Sequence, residues 1–288
     1  MLEASEGVRA MAYKTILLHL DGGPRDEKAL DIALNVASAE QAHLVALRVI
    51  HPFYPALGAF GDAASGVIAD MQRDYLDEAE AAASSLRKTA EQRAGQAGIP
   101  LEWRQEEGPA DDIVPLQARY ADLTITSQID PDSVDAPRKR GLPIQLVMES
   151  GRPMLVVPYA GNFDTMGKHI LVAWNGGREA TRAINDAMPF LRRAELVSVL
   201  SINPRQADHI AGFDISKLIA RHGVKAEAVR TVSGDVSVGD LLLSEAADLN
   251  ADMIVMGAYG HSRIREFILG GASQKILESM TVPVLMSH

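Results

Sequence analysis

Residues able to hold a phosphorylated ligand gather near the C-terminal end of the chain. Met256-Gly257-Ala258-Tyr259-Gly260 follows a short apolar run, nine residues intervene, and Gly270-Gly271-Ala272-Ser273 opens a helical pattern. Glycines at 257 and 260 give the backbone angles closed to other residues and let a ligand approach closely. A helix beginning at 270–273 turns unpaired N–H groups and the positive end of its dipole toward an anion. The Ser273 hydroxyl has two roles open to it, capping that helix or touching a phosphate. A second polar turn, Asn175-Gly176-Gly177, follows Ala173-Trp174 at the end of another apolar run. The sum is nucleotide-shaped: a polar group after one strand, backbone along another strand's loop, and phosphates on the last helix. Taken singly, such glycines serve tight turns more often than ligands. Neither the P-loop lysine pattern nor the Rossmann glycine fingerprint is present.

A repeat positions these residues. Lys14-Thr15-Ile16-Leu17-Leu18-His19-Leu20-Asp21-Gly22-Gly23 returns as Lys168-His169-Ile170-Leu171-Val172-Ala173-Trp174-Asn175-Gly176-Gly177, an offset of 154. Ala121-Asp122-Leu123-Thr124-Ile125-Thr126-Ser127 returns as Ala251-Asp252-Met253-Ile254-Val255-Met256-Gly257, an offset of 130, and Ser150-Gly151-Arg152-Pro153-Met154-Leu155-Val156-Val157-Pro158 is echoed over 279–286. The first copy therefore carries 24 extra residues in its middle, placed at 51–72, where Pro-Phe-Tyr-Pro and a Gly/Ala-rich stretch lead into a longer helix. Each copy is the size of a small domain, far longer than a solenoid unit. The polar joint at 159–164 separates a first domain, 11–160, from a second, 165–288.

Apolar β-type runs alternate with helical patterns in both copies. The runs fall at 15–20, 44–49, 100–104, 123–126 and 154–157, then at 170–174, 196–202, 224–232, 253–256 and 284–286. Several are apolar without strict alternation, as in strands buried on both faces of a parallel sheet. Between them, 71–97, 179–191 and 235–249 read as helices, the last with Val238, Leu241, Leu242, Glu245 and Ala246 at helical spacing and both leucines inward. The expected fold class is α/β: two tandem doubly wound domains, each a five-stranded mostly parallel sheet flanked by helices. Ligands on such sheets bind beyond the carboxyl ends of the strands at the topological switch point. That places the site just after strands 1 and 4 of each copy.

The chain resembles the universal stress protein family. The residues that carry the resemblance are the Ala-Asp-hydrophobic strand 251–257, the Gly257–x–x–Gly260 loop, the nine-residue spacer, the glycines at 270 and 271, and the closing Val282-Pro283-Val284-Leu285-Met286. It extends over both copies, from Tyr13 to Ser287. The resemblance implies an adenine nucleotide alpha hydrolase-like fold and an adenine nucleotide, ATP, as ligand of the second domain alone. The family holds both ATP binders and members that bind no nucleotide. Carried over, Ala173, Trp174 and Asn175 border base and ribose, Met256, Gly257 and Gly260 line the nucleotide, and Gly270, Gly271, Ala272 and Ser273 hold the phosphates. Asn175 stands where the family has an acid, and Gly271 where it has Ser or Thr. Both changes weaken phosphate and Mg²⁺ handling more than adenosine binding, so no catalytic or metal-ligating residue is assigned. The resemblance also implies that 154–157 and 284–286 pair, joining the copies as an internal pseudo-dimer, and that whole chains associate further as a homodimer. Pairing those edges would also remove an aggregation hazard.

Between the copies, Gly257 faces Ser127, Gly260 faces Asp130, Gly270 faces Arg140 and Ser273 faces Pro143; only Gly141 matches, at Gly271. Asp130, Asp132 and Asp135 add negative charge where phosphate would sit, although the first copy keeps the strand 1 acid, Asp21. The first site therefore reads as degenerate. The readings that compete with a nucleotide sensor are a protein-interaction module of the same fold and a very slow ATPase.

Other candidates have plain readings. His19 and Asp21 share a strand face, but a lone strand histidine is more often core. His43 and His51 lack a third zinc ligand in register. Asp111 and Asp112 suit a helix N-terminus. Arg263 and Arg265 suit phosphate and solvent equally, and 267–269 either packs inward or meets a partner. At 47% hydrophobic and 23% charged the composition is that of a globular protein. A net charge of −10, with Arg138-Lys139-Arg140 the densest basic run, argues against nucleic acid. No apolar run reaches membrane-spanning length. Residues 1–10 lack the apolar stretch of a secretory signal, and Met11 is a candidate start. The absence of cysteine excludes thiol chemistry and suits a cytoplasmic setting.

Overall fold

Each half lays down five strands in the same order. The first half runs β1 (Thr15–Leu20), α1 (Asp26–Glu40), β2 (His43–Ile50), α2 (Ser65–Ala97), β3 (Leu101–Glu107), α3 (Ala110–Ala118), β4 (Leu123–Ser127), α4 (Leu142–Glu149) and β5 (Met154–Val157). The second runs β6 (His169–Ala173), α5 (Arg178–Asp186), α6 (Met188–Leu191), β7 (Leu196–Ile202), α7 (Phe213–Ala220), β8 (Ala226–Thr231), α8 (Val238–Asp248), β9 (Met253–Gly257), α9 (Ala272–Ser279) and β10 (Val284–Ser287). The structure is a computed structural model and describes residues 12–54, 65–133, 136, 141–163, 165–204, 212–259 and 271–288.

The ten strands form one sheet in the order β3-β2-β1-β4-β5-β10-β9-β6-β7-β8. Every neighbouring pair is parallel except the central one, where β5 and β10 run antiparallel with Met154 opposite Met286, Leu155 opposite Leu285 and Val156 opposite Val284. The expected pairing of 154–157 with 284–286 is thus the seam of the molecule, and both five-stranded sheets have the doubly wound order. Strand residues alternate between two apolar layers. Leu18, Ile125, Leu155, Ile170, Val255 and Leu285 enter the layer under α1 and α5. Leu17, Val156, Leu171, Ile254 and Met286 enter the layer under α3, α4, α8 and α9. Each layer draws residues from both halves, so burial is continuous across the seam.

Polar contacts reinforce it. The Tyr13 hydroxyl donates to the Asp186 carbonyl at 2.6 Å, and the Tyr13 ring lies 5.8 Å from that of Phe190. Arg193 pairs with Glu40, and an Arg182 guanidinium nitrogen donates to the Gly151 carbonyl at 2.9 Å. The repeated Ala-Asp acid also has a structural role. Asp122 accepts the N–H groups of Lys14 and Thr15, and Asp252 those of Gly167, Lys168 and His169. Each carboxylate ties the start of strand 4 to the start of strand 1 in its own half.

The structure departs from the sequence expectations at three points. The helix expected over 179–191 is two helices, α5 and α6, because Pro189 has no N–H and its ring would meet the carbonyl one turn back. The face that α8 buries is Gly239, Leu242 and Ala246; Val238 is exposed and Leu241 only half-buried. The 24-residue surplus enters largely as helix, since α2 has 33 residues and its counterpart α7 has 8. Residues 55–64 of that stretch, and 267–269, lie outside the described residues.

Because Leu155 is fully buried at the seam, Leu155→Ala should cost about 2–5 kcal/mol. Urea denaturation followed by circular dichroism checks this, and an unchanged midpoint would show that the seam does not carry the stability assigned to it.

Candidate functional site

The strand order reverses at two switch points, beyond the C-terminal ends of β1/β4 and of β6/β9, the places where doubly wound sheets form their ligand crevices. In the second, Asn175 folds its side chain back so that Oδ1 accepts the Gly177 N–H at 2.8 Å. Asp21 does the same to Gly23 at 2.8 Å in the first. The strand 1 turn is therefore closed identically in both halves. The Asn175 oxygen is committed to the turn, and its amide nitrogen is the group it can turn to a ligand.

Gly257 behaves differently from its sequence reading. Its φ is not in the left-handed region. What it accommodates is the chain itself: a Cβ there would lie 2.5 Å from the Ala180 nitrogen and 2.5 Å from the Glu179 carbonyl carbon. This glycine lets the start of α5 dock on β9. The left-handed conformation falls instead on Tyr259, at φ 54°. Gly260 and Gly270 lie outside the described residues, as do Arg138, Lys139, Arg140, Arg263 and Arg265.

At α9, Gly271 is the N-cap and uses no side chain. Ser273 sits two residues on; its buried hydroxyl accepts the Tyr259 N–H at 3.3 Å rather than capping the helix. The β9 loop is thereby tied to the helix whose first-turn N–H groups have no partner within it. Gly239 of α8 fixes the same turn from below, since a Cβ there would come 2.8 Å from the Lys275 Cβ. Ala173, Met256, Tyr259 and Ser273 thus share one side of the sheet, whereas Trp174 packs on the opposite layer. Behind Gly257, Glu179 is buried. Burial pushes its carboxyl up, but its own N–H, the Arg178 guanidinium and the charge of His288 outweigh that and hold it below the usual range.

The universal stress protein family model matches residues 12–126 and again 166–288. The chain belongs to the universal stress protein family. A universal stress protein from Archaeoglobus fulgidus superposes over 95% of both chains with a TM-score of 0.72 at 18% identity. A functionally unknown protein from Pseudomonas aeruginosa PAO1 covers 96% of this chain and 92% of its own, with a TM-score of 0.58 at 18% identity. Among curated relatives, a universal stress protein of Synechocystis sp. is 25% identical over 149 residues, which spans 49% of this chain and 48% of that relative's length.

In this universal stress protein the first crevice has been refilled. His19, Asp21, His51, Asp111, Thr126, Ser127, Ile129, Leu142 and Pro143 line a cavity of ≈ 20 Å³, room for about one water. His19, which replaces the small Ala173 of the other half, is buried and its Nδ1 lies 3.1 Å from the Thr126 hydroxyl. Pro143 stands near the start of α4, where it removes an N–H that Ser273 keeps in α9. The His19/Asp21 pair, His51 and Asp111 stand apart in the sequence; the sheet ends bring them to one cavity. Aligning His19 on Ala173 is the signal that joins them. Among the described residues no three His, Asp or Glu side chains are grouped to hold a metal ion.

Asp26 and Arg48 carry no signal in the sequence. Asp26, 4% exposed, accepts the N–H groups of Asp21 and Gly22 at 3.2 and 2.9 Å. Buried Arg48 donates to the Val49 carbonyl at 2.6 Å. A Cβ on Gly22, whose φ is +80°, would strike its guanidinium at 2.3 Å. Burial, then the Asp21 charge, push the Asp26 carboxyl from 3.8 up to about 7 against the pull of the Gly22 N–H and Arg48.

Two variants test this geometry. Gly257→Ala should destabilise the protein by about 1–3 kcal/mol, because backbone atoms cannot yield cheaply; thermal unfolding in the absence of any ligand measures it. For Asp26, the folded chain favours the protonated acid. Its contribution to stability is therefore full below about pH 4 and disappears as pH rises through about 7. Asp26→Asn, neutral throughout, should gain on the parent between pH 5 and pH 8 in urea midpoints. Parallel curves for the two proteins would refute the shift.

Proposed function

We propose that this universal stress protein holds one adenine nucleotide, ATP, in the second-half crevice and senses or regulates rather than catalyses. The observation that carries the reading is the unequal start of the two crevice helices. The bare Gly271 cap of α9 leads into Ala272 and Ser273, whereas α4 begins with Leu142 and Pro143. An anion needs several N–H groups converging at a helix start. Proline at the Ser273-equivalent position takes one away, and Asp111 lines the same cavity. Small Ala173 leaves width for the base where His19 fills the other crevice. Ala173, Trp174, Asn175, Met256, Gly257, Gly260, Gly270, Gly271, Ala272 and Ser273 are the proposed ligand shell, Trp174 through its backbone and Gly257 through the position it gives the loop.

The proposal is of binding without turnover. Asn175 offers the ligand a neutral donor where the first half has Asp21, and the nearby Glu179 carboxylate is engaged by Arg178 at 3.0 Å, so the strand 1 turn of this half commits no acid to a cation beside the phosphates. The two sequence halves, 11–160 and 165–288, would then be one sheet architecture used for different ends, acting in the cytoplasm. No helix among the described residues is long and apolar enough to cross a membrane.

Isothermal calorimetry with ATP should return one site per chain, and mass spectrometry of the purified protein should detect co-bound adenine nucleotide. Gly260→Val and Gly270→Val should each abolish binding. Two sites per chain, or unchanged affinity in both variants, would overturn the assignment. Gly257 is unsuited to this test because its loss perturbs α5 whether or not a ligand binds.

A further inference from the structure

The helix that starts the proposed phosphate site is held at its far end by a side chain of the first half. Gln128 directly follows β4 and is 5% exposed. Its Nε2 donates to the Leu277 carbonyl in α9 at 2.8 Å. Its Oε1 accepts the Tyr159 N–H at 3.1 Å, and its own N–H donates to the Val157 carbonyl at 2.6 Å. The last four carbonyls of a helix have no N–H partner within it. Met280 supplies one to Ile276, and the Leu277 carbonyl is supplied from across the seam by Gln128. The equivalent position in the second half is Ala258, which has no amide to offer; its carbonyl instead accepts from His288 Nδ1, 3.0 Å away. The tether therefore runs from the first half to α9 without a counterpart in the other direction.

The near end of α9 is fixed by Tyr259 on Ser273, and its flank by Gly239 against Lys275. A helix of 8 residues gripped in this way moves as a short rod. A displacement at Leu277 reaches Gly271 roughly 9 Å away along the axis, at about 1.5 Å per residue. On the other side, the neighbours of Gln128 in the chain, Ser127 and Ile129, both line the first-half cavity. Replacing the buried amide leaves the Leu277 carbonyl and the Tyr159 N–H without their partner, so the link cannot be lost silently.

We propose that Gln128 is a positioning residue that couples the first-half crevice to the start of α9, so that reshaping or filling the first crevice alters nucleotide affinity in the second. This rests on the nucleotide reading of the second half. The degenerate crevice thereby gains a role, which is to set the geometry of the other. Linkage makes the coupling reciprocal, so a nucleotide at α9 also biases the first crevice.

The test is a double-mutant cycle on the full chain. Ser127 has a buried hydroxyl with no hydrogen-bond partner among the described residues, so Ser127→Val reshapes the first cavity without breaking a hydrogen bond. In the parent background it should change ATP affinity about fivefold or more; in a Gln128→Leu background that change should vanish. Gln128→Glu keeps the acceptor for Tyr159 and, once ionised, loses the donor to Leu277; read at a pH high enough to ionise it, this variant should uncouple the sites in the same way and guards against a folding defect in the leucine variant. Hydrogen exchange of the α9 amides in nucleotide-free protein gives a second readout. It should rise in Gln128→Leu and Gln128→Glu, and respond to Ser127→Val only while Gln128 is present. Equal Ser127→Val effects with and without Gln128, in either readout, would overturn the coupling. A parent that binds no ATP would overturn the site reading instead, and the exchange cycle would still decide the coupling.

Discussion

The antiparallel pairing of β5 with β10 is the constraint on which the other features depend. Either half alone would end in a short, largely apolar strand with one unpaired edge, a template for aggregation. Placed edge to edge, the two strands satisfy each other and bury Leu155 against Leu285. The antiparallel sense also makes the junction a pseudo-twofold. It turns both sheets so that each apolar layer runs through the seam, and it sets the first half's β4 loop beside the second half's α9. The reach of Gln128 to Leu277 exists only because the sheets are joined this way.

Much of this was readable in the residues. Nine of the ten strands lie within two residues of the apolar runs at both ends, because strands buried on both faces leave little else for the sequence to say. β3, expected at 100–104 and found at Leu101–Glu107, extends through Gln105-Glu106-Glu107 because an edge strand tolerates charge on its open side. The break at Pro189 was written in the sequence and overridden by the run of apolar residues around it. The convergence of His19, His51 and Asp111 could not be read locally. They come from two strand ends and a helix start, and only the parallel register brings them together.

The glycines of the loop motif divide by physical cause. Gly257 answers to the backbone of α5, 2.5 Å from where its Cβ would be. Gly271 has an ordinary φ of −59° as a helix cap, so its value lies in leaving the first turn uncovered. A motif of this kind mixes residues the fold requires with residues a ligand would require, and sequence spacing alone does not separate them. The same holds for the repeated acid: Asp122 and Asp252 look like site residues by their place in the motif, yet both are spent on strand N–H groups at the opposite end of the sheet.

Electrostatics gives the refilled first crevice an independent reason to exclude phosphate. Asp21 and Asp111 line it, and Asp26 lies directly behind the Asp21 turn. Arg48 is buried below the same turn, but its donors reach backbone carbonyls rather than the opening. With Asp26 pushed up to about 7, part of the acidic load is relieved by holding a proton, which is how a protein keeps neighbouring carboxyls without a cation. An arriving phosphate would add negative charge to that set and raise the cost of ionising Asp26 further. The second crevice carries Asn175 where Asp21 stands and Ala180 where Asp26 stands, so the same architecture there presents no carboxylate at those two positions. At those two positions the halves therefore differ in charge as much as in glycine content, while the second half keeps its own carboxylate, Glu179, beside the Gly177 turn.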